Sequence, residues 1–589
     1  MFTAGANMRG FGPRLGYFLG VAGTVGILVA PLSAAGAGTD GDTVELALDN
    51  PAAVQQFLAP LQPGRDRPLP DAGPPPNLDF TIQAPRRSPV PRAVEELVFD
   101  VRDIKVDGVT TYSPDEIRPL VQPVIGGKAH LSDLLAAAER IEAKYHADGY
   151  ILTRAFVPTQ SVSDGVFRIS VIEGYVAAVS VNGGDDSAQA RVQQLLAPVL
   201  ASRPLRLPVI ETALLTANQI PGAAVSGLLR PSASEPGASD LVVTVKTAPW
   251  AASLSTDNRG AESTGKWTYA ADLAVRSPWA DGGQLLVNAS TATDPNQRRA
   301  LQAKYVVPVG GDGMLFTMSG LTSHGEPVAS LASTPLKIIS DSVAVGPHLS
   351  YPLLLTRQEK LSVDGGITYQ SANVGMLDAP YSHDEWRVAD VALTYQNAGL
   401  LDGVSTAMLD LAQGLPIFGA SPSGSLTISR PGGRTDFTKL TSTVSHVRSI
   451  DGPLSLSVSG MGQYADSTLL TGEEVSFGGT AIGRGYDPAA ITGDLGVGGS
   501  VELRYDLDAA DFYANSAQLY SFYDVAAVWV HSGTLSTPNR IQSAGAGVRT
   551  VVVSAVSLGL EFAHALEPVP GSDDGHRSSR VFFNGSVRF

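Results

Sequence analysis

From residue 249 onward the chain breaks into short runs in which apolar and polar residues alternate, separated by Gly, Asp, Asn and Pro. Residues 266–276 display the pattern plainly. Trp267, Tyr269, Ala271, Leu273 and Val275 share one face, opposite Thr268, Asp272 and Arg276. Successive side chains of a strand point to opposite faces, so a period of two gives one apolar and one polar surface. Comparable runs recur at 251–259, 283–293, 299–309, 313–322, 336–353, 357–372, 385–396 and 405–413. They continue at 434–449, 454–466, 499–508, 518–531, 540–551, 554–565 and 579–589, which makes sixteen. A strand crosses a bilayer in ~9–11 residues, so the roughly 340 residues of 248–589 hold sixteen with their loops. The pattern predicts an all-β, 16-stranded antiparallel transmembrane barrel.

Upstream the periodicity is different. Residues 98–106 read as a strand, and Ser113-Pro114-Asp115-Glu116 is a capping box with Pro at the first helical position. Over 132–148, Leu134, Leu135, Ala138, Ile141 and Tyr145 repeat at helical spacing, and Gly149 ends the run. Strands follow at 151–158 and 166–173. The order recurs over 175–247: a strand at 176–181, helices near 188–200 and 208–217, and strands at 223–229 and 241–246. Two tandem α+β units, 96–174 and 175–247, are expected. Small sheets of this kind have open edges, which accept an extended chain as an added strand.

The first 38 residues have the form of a signal peptide, with Arg9 and Arg14, an apolar stretch at 17–31, and small residues from Ala34 to Ala37. Over 39–95, Asn50 and Pro51 suit the start of a helix reaching Leu58. Ten prolines then crowd residues 60–91, which predicts an extended linker without core-forming capacity.

Near the end, a long Gly-rich loop (467–497) carries Arg484-Gly485-Tyr486 and runs into a strand. In that strand Val501, Leu503, Tyr505 and Leu507 oppose Glu502, Arg504, Asp506 and Asp508. Further on, Leu519, Tyr523, Val525, Ala527 and Trp529 share a face, while Phe522 and Asp524 share the other. With the first set towards lipid, Asp524 points into the barrel, where a carboxylate favours a cation such as Arg484. Spacing alone leaves open the alternative of a solvated loop arginine and an ordinary lumen charge. The R-G-Y tip, the later F-x-D and the terminal Phe589 together resemble the haemolysin-activator (two-partner secretion) transporters of the outer membrane. The runs Ala155-Phe156-Val157-Pro158 and Val171-Ile172-Glu173-Gly174 resemble the first POTRA domain of that family.

The resemblance implies an inward-folded loop locking Arg484, Gly485 and Tyr486 against Phe522 and Asp524. It also implies POTRA domains at 96–174 and 175–247 that face the periplasm, a plug helix within 39–95, and Phe589 as a targeting signal read by the outer-membrane assembly machinery. The implied partners are outer-membrane lipid and a large secreted β-rich exoprotein, adhesin or haemolysin-like. The sequence departs from the family pattern at Gly483, where Val is common. Readings with the same barrel are a barrel-assembly factor and a passive porin; two α/β units and the Pro-rich tether favour export.

Composition narrows the chemistry. A net charge of −16 argues against nucleic acid as a partner. With no cysteine there is neither a disulfide nor a thiolate metal site. Residues 260–266 approach a P-loop, but Trp267 stands where Ser or Thr is needed. The nine His form no metal-binding motif, and no G-x-S-x-G is present. Nothing argues for an enzyme, a metal or a cofactor.

Overall fold

The computed structural model describes residues 78–83 and 97–589, apart from 163, 236, 280, 332–333, 509–513, 532–537, 569 and 571–576. The expected signal peptide, the helix at 51–58 and most of the Pro-rich stretch lie outside the described residues.

The sixteen alternating runs form sixteen antiparallel strands in one closed sheet, counted here as barrel strand 1 (Trp250–Asp257) to barrel strand 16 (Ser579–Arg588). Closure joins the first to the last, with Leu254 opposite Val587, and leaves no open edge. The alternation sorts as expected. Tyr269, Leu273, Val501, Leu503, Tyr505, Leu519, Tyr523 and Val525 are exposed on the outer wall, while Glu502, Phe522 and Asp524 are buried inside. No described helix is long and apolar enough to cross a membrane, so the crossing is made by strands.

Strands 7 (Glu359–Met376) and 8 (Ala379–Ala398) extend further than the periodicity predicts. They pair up to a two-residue turn at Leu377-Asp378, both with positive φ, the type I′ geometry that suits hairpin twist. In the upper part of strand 7 the apolar positions change face: Ala372 and Val374 are buried, and Val374 packs with Leu336 and Ile338, whereas lower down the exposed Ile367 has the opposite parity.

The first α+β unit pairs Asp103–Asp107, Val166–Ile172 and Arg154–Phe156 in one sheet. The single strand expected at 98–106 is divided: Val98–Val101 pairs instead with Gly127–His130. Helices Pro114–Val121 and Leu131–Ala147 cover the sheet, and the capping box forms as read, with the Ser113 N–H donating to Glu116 at 2.9 Å.

The second unit has the strand order Asp79–Ile82, Ala223–Pro231, Ser239–Thr247, Val176–Asn182. Its first strand corrects the linker expectation. Residues 79–82 pair in parallel with Ser226–Leu229, and Leu78 and Phe80 pack on the core of the unit. These two apolar side chains, set among prolines, give the segment the core-forming capacity that its proline content concealed.

This unit sits against the near-end turns of the barrel. Asp185, the N-cap of helix Asp186–Leu195, accepts from Nε of Arg276 at 2.8 Å. Arg191 donates to the carbonyl of Pro308 at 2.8 Å, and Arg357 pairs with Glu211 at 2.6 Å. Burial works to raise the Asp185 carboxyl, but hydrogen bonds from Arg276, Ser187 and the Ala188 amide outweigh it and hold the group at about 2. A carboxyl held below its unfolded value of ~3.9 stabilises the fold above that value and loses the effect as pH falls towards 2. Hydrogen exchange at residues 185–190 and 276–283 is therefore expected to show no change attributable to this group between pH 5 and 8. Asp185→Asn should speed exchange there, because the Arg276 side chain, 2% exposed, loses its counter-ion.

Candidate functional site: the inward-folded loop

Loop 6, residues 466–494, joins barrel strands 11 (Leu454–Ala465) and 12 (Leu495–Leu507) at the end away from the α+β units. It folds into the barrel. Val475–Phe477 and Ile491–Gly493 pair as a small hairpin, and Val475, Phe477, Ile482, Tyr486 and Ile491 pack on Ala526, Val528, Ile541 and Ala565 of the wall. This apolar contact presses the loop onto strands 13 (Ser516–Trp529) to 15 (Val556–Ala565).

At the tip, the structure brings together the residues predicted from the sequence. Both Nε and Nη2 of Arg484 donate to Asp524, at 3.0 and 2.8 Å, a bidentate fork. The backbone N–H groups of Gly483 and Arg484 add bonds of 3.1 and 3.0 Å to the same carboxylate, and the Ser543 hydroxyl one of 3.2 Å. Asp524 is completely buried. Phe522 supplies a ring face 3.4 Å from the guanidinium carbon, a cation–π contact. The Tyr486 hydroxyl lies 2.9 Å from the carbonyl oxygens of both Gln542 and Glu567, and the Gly485 carbonyl accepts from Ser578 at 2.6 Å.

The departure at Gly483 has a physical reason. Its φ is +88°, which favours glycine, and a Cβ there would lie 2.6 Å from Ile541 Cδ1. That conformation aims two successive N–H groups at Asp524.

The site also contains residues that motif reading did not single out. Arg484 Nη1 donates to Glu502 at 2.9 Å and lies 3.8 Å from Glu561, and Nη2 reaches Ser500 at 2.9 Å. Glu502 is shared with Arg504 (2.8 Å) and Arg549 (3.0 Å), and Glu561 with Arg259 (3.1 Å). Three carboxylates thus face four guanidinium groups. The inward alternation places Glu502 and Glu561 on the lumen face; nothing in the sequence pairs them with Arg484.

A polar cavity of about 790 Å³ lies on the opposite side of the loop, lined by Asp257, Lys304, His348, Asp390 and Lys439 of the wall and by Thr480 of the loop. Phe589, for which the resemblance implies a targeting role, is exposed at the end of strand 16, where its N–H donates to the Ala252 carbonyl at 2.8 Å. The P-loop look-alike at 260–266 joins barrel strands 1 and 2, tied by Gly260 N–H to the Lys266 carbonyl.

A closed 16-stranded barrel with α+β units at one end and a buried loop within it defines an outer-membrane transporter barrel. Residues 237–550 match the family model of the haemolysin secretion/activation protein ShlB/FhaC/HecB, and residues 99–174 match a ShlB-type POTRA domain. The chain belongs to this haemolysin secretion/activation family, whose members are two-partner secretion transporters of the outer membrane with periplasmic POTRA domains. Among its relatives, the heme/hemopexin transporter protein HuxB of Haemophilus influenzae is 22% identical over 477 residues, 79% of this chain and 82% of its own. The hemolysin transporter protein ShlB of Serratia marcescens is 26% identical over 334 residues, 54% of this chain and 57% of its own. The solved structure of CdiB from Escherichia coli shares the fold, with a TM-score of 0.67 and 23% identity over 93% of this chain and all of that one.

The tip leaves no space for a side chain at Gly485, where a Cβ would lie 2.8 Å from the Ala565 amide nitrogen. Gly485→Ala is expected to lift the tip, seen as at least about fivefold faster hydrogen exchange at residues 480–490 in an otherwise folded barrel.

Proposed function

We propose that the Arg484–Asp524 pair is the lock that holds loop 6 in the lumen, and that export of a large β-rich exoprotein, adhesin- or haemolysin-like, depends on it. The single observation that carries this reading is the saturation of one buried carboxylate by five hydrogen bonds, four of them from Gly483 and Arg484. A loop so held has one defined position, and the cavity beside it is the route that an extended chain would follow. The transporter has no catalytic role in this account, and the driving force is folding of the client outside the cell.

On the periplasmic side, units 96–174 and 175–247 act as a POTRA pair that catches the unfolded client by strand addition. The sheet of the second unit ends in Asp79–Ile82 on one side and Val176–Asn182 on the other, so the edges offered to a client are the outer sides of these two strands and those of the first unit. Residues 1–38 direct export to the periplasm, and Phe589 is read by the assembly machinery. The exposed Trp250, Tyr269, Tyr464 and Tyr505 on the outer wall suit contact with outer-membrane lipid.

Arg484→Ala and Asp524→Ala are each expected to abolish secretion of the exoprotein into culture supernatant while the barrel still assembles in the outer membrane. Removing one member of a buried pair costs about 3–5 kcal/mol where water is excluded, and less in a wet lumen. Wild-type levels of secretion by either variant would overturn the role assigned to the lock.

A further inference from the structure

A second buried guanidinium–carboxylate cluster lies at the root of loop 6, away from the tip. Loop 5, residues 415–437, joins barrel strands 9 (Gly403–Gly414) and 10 (Thr438–Asp451) and supplies Arg430. Its Nη1 and Nη2 donate to the two oxygens of Asp494, the last residue of loop 6, at 2.6 and 3.2 Å. Nη1 also donates to the Leu469 carbonyl at 2.7 Å and lies 3.2 Å from Glu474, both on the incoming limb of the loop. The Asp494 side chain is fully buried and accepts two further bonds of 2.8 Å, from the Leu469 amide and from the His531 amide after strand 13. One carboxylate thus gathers N–H groups from three successive far-end connections.

Apolar packing seals the same seam. Ile428 and Phe437 of loop 5 pack with Leu469 and Leu470 of loop 6 against Trp386 and Ala412 of the wall. Beside them, the Thr471 amide donates to the Ser429 hydroxyl at 3.1 Å. The tip and root contacts differ in kind. Arg484 fastens loop 6 to the wall and leaves the polar cavity beside it. Arg430 fastens loop 6 to another loop, so its bonds must break if the two loops are to separate.

We propose that Arg430 is a positioning residue that acts as a second latch, joining loop 5 to both limbs of loop 6, and that the two loops part there before a polypeptide leaves the barrel. This rests on the export reading. A charge-based seam suits a latch that reopens: once water enters, the separated guanidinium and carboxylates are solvated, so dry contact does not make the seam permanent.

The absence of cysteine allows a direct test in the full-length chain. Ser429→Cys with Thr471→Cys places a thiol on each side of the seam. Under oxidation, secretion of the exoprotein is expected to fall about tenfold or more, with recovery on reduction. Equal secretion in the two states, with the cross-link verified, would overturn the latch. Planar-bilayer recordings on the purified chain need no client. Arg430→Ala and Asp494→Asn should raise the frequency of open events about tenfold, Arg430→Lys should raise it less, and oxidation of the cysteine pair in the Arg430→Ala background should restore the quiet state. Unchanged recordings from folded Arg430→Ala and Asp494→Asn overturn the proposal. Should Arg430→Ala not fold, by heat-modifiable migration, Asp494→Asn and the cysteine pair decide. If the wild-type chain exports nothing, the export reading falls, while the recordings still judge the latch.

Discussion

An ionised side chain taken out of water is stable only where other charges and dipoles replace its hydration. Arg484, 8% exposed, meets that condition among Asp524, Glu502, Glu561 and the face of Phe522. The position of the whole loop follows. A connection of 29 residues has a large conformational entropy to lose on ordering, and loops this long are uncommon unless they have a function or a fold of their own. Here the apolar contacts of Phe477, Tyr486 and Ile491 supply the packing, and the charge cluster sets the register. Packing alone would tolerate small displacements; a bidentate fork with two backbone N–H groups on the same carboxylate does not.

That constraint divides the lumen. Strands 13 to 15 are covered by the loop, and the polar cavity runs along the other wall. The division needs a stiff frame, which closure of the sheet provides by leaving no edge to fray. The second α+β unit is tied to the same frame through Arg276, Arg191 and Arg357, so a client bound there would be held close to the barrel entrance.

The barrel was legible because a lipid-facing strand must alternate, and all sixteen strands carry that signal. Strands 7 and 8 were legible only over their lower portions, since higher up the apolar residues of strand 7 switch to the buried face and break the outward pattern. The cluster at the loop tip was legible in part. Alternation put Asp524 inside, but its pairing with Arg484 came from the resemblance, since a contact across 40 residues leaves no local pattern. The root cluster was not legible: Arg430 and Asp494 are 64 residues apart, in two loops without periodicity. The strand at 79–82 was hidden for a different reason. Its two apolar residues are too few to register as a pattern, yet a neighbouring sheet edge supplies the missing hydrogen bonds.

The distribution of charge along the open side bears on how selection of a client is achieved. Arg259, Arg298, Lys304 and Lys439 line the cavity together with Asp257, Asp390, Asp410 and Glu473. Opposite signs in equal number produce no strong net potential, so the cavity would neither concentrate nor hold a chain of one charge. A conduit for a long polypeptide benefits from that neutrality, because each segment must enter and leave with little change in free energy. On the proposed reading, discrimination between polypeptides would fall to the sheet edges of the α+β units, where main-chain pairing can supply affinity.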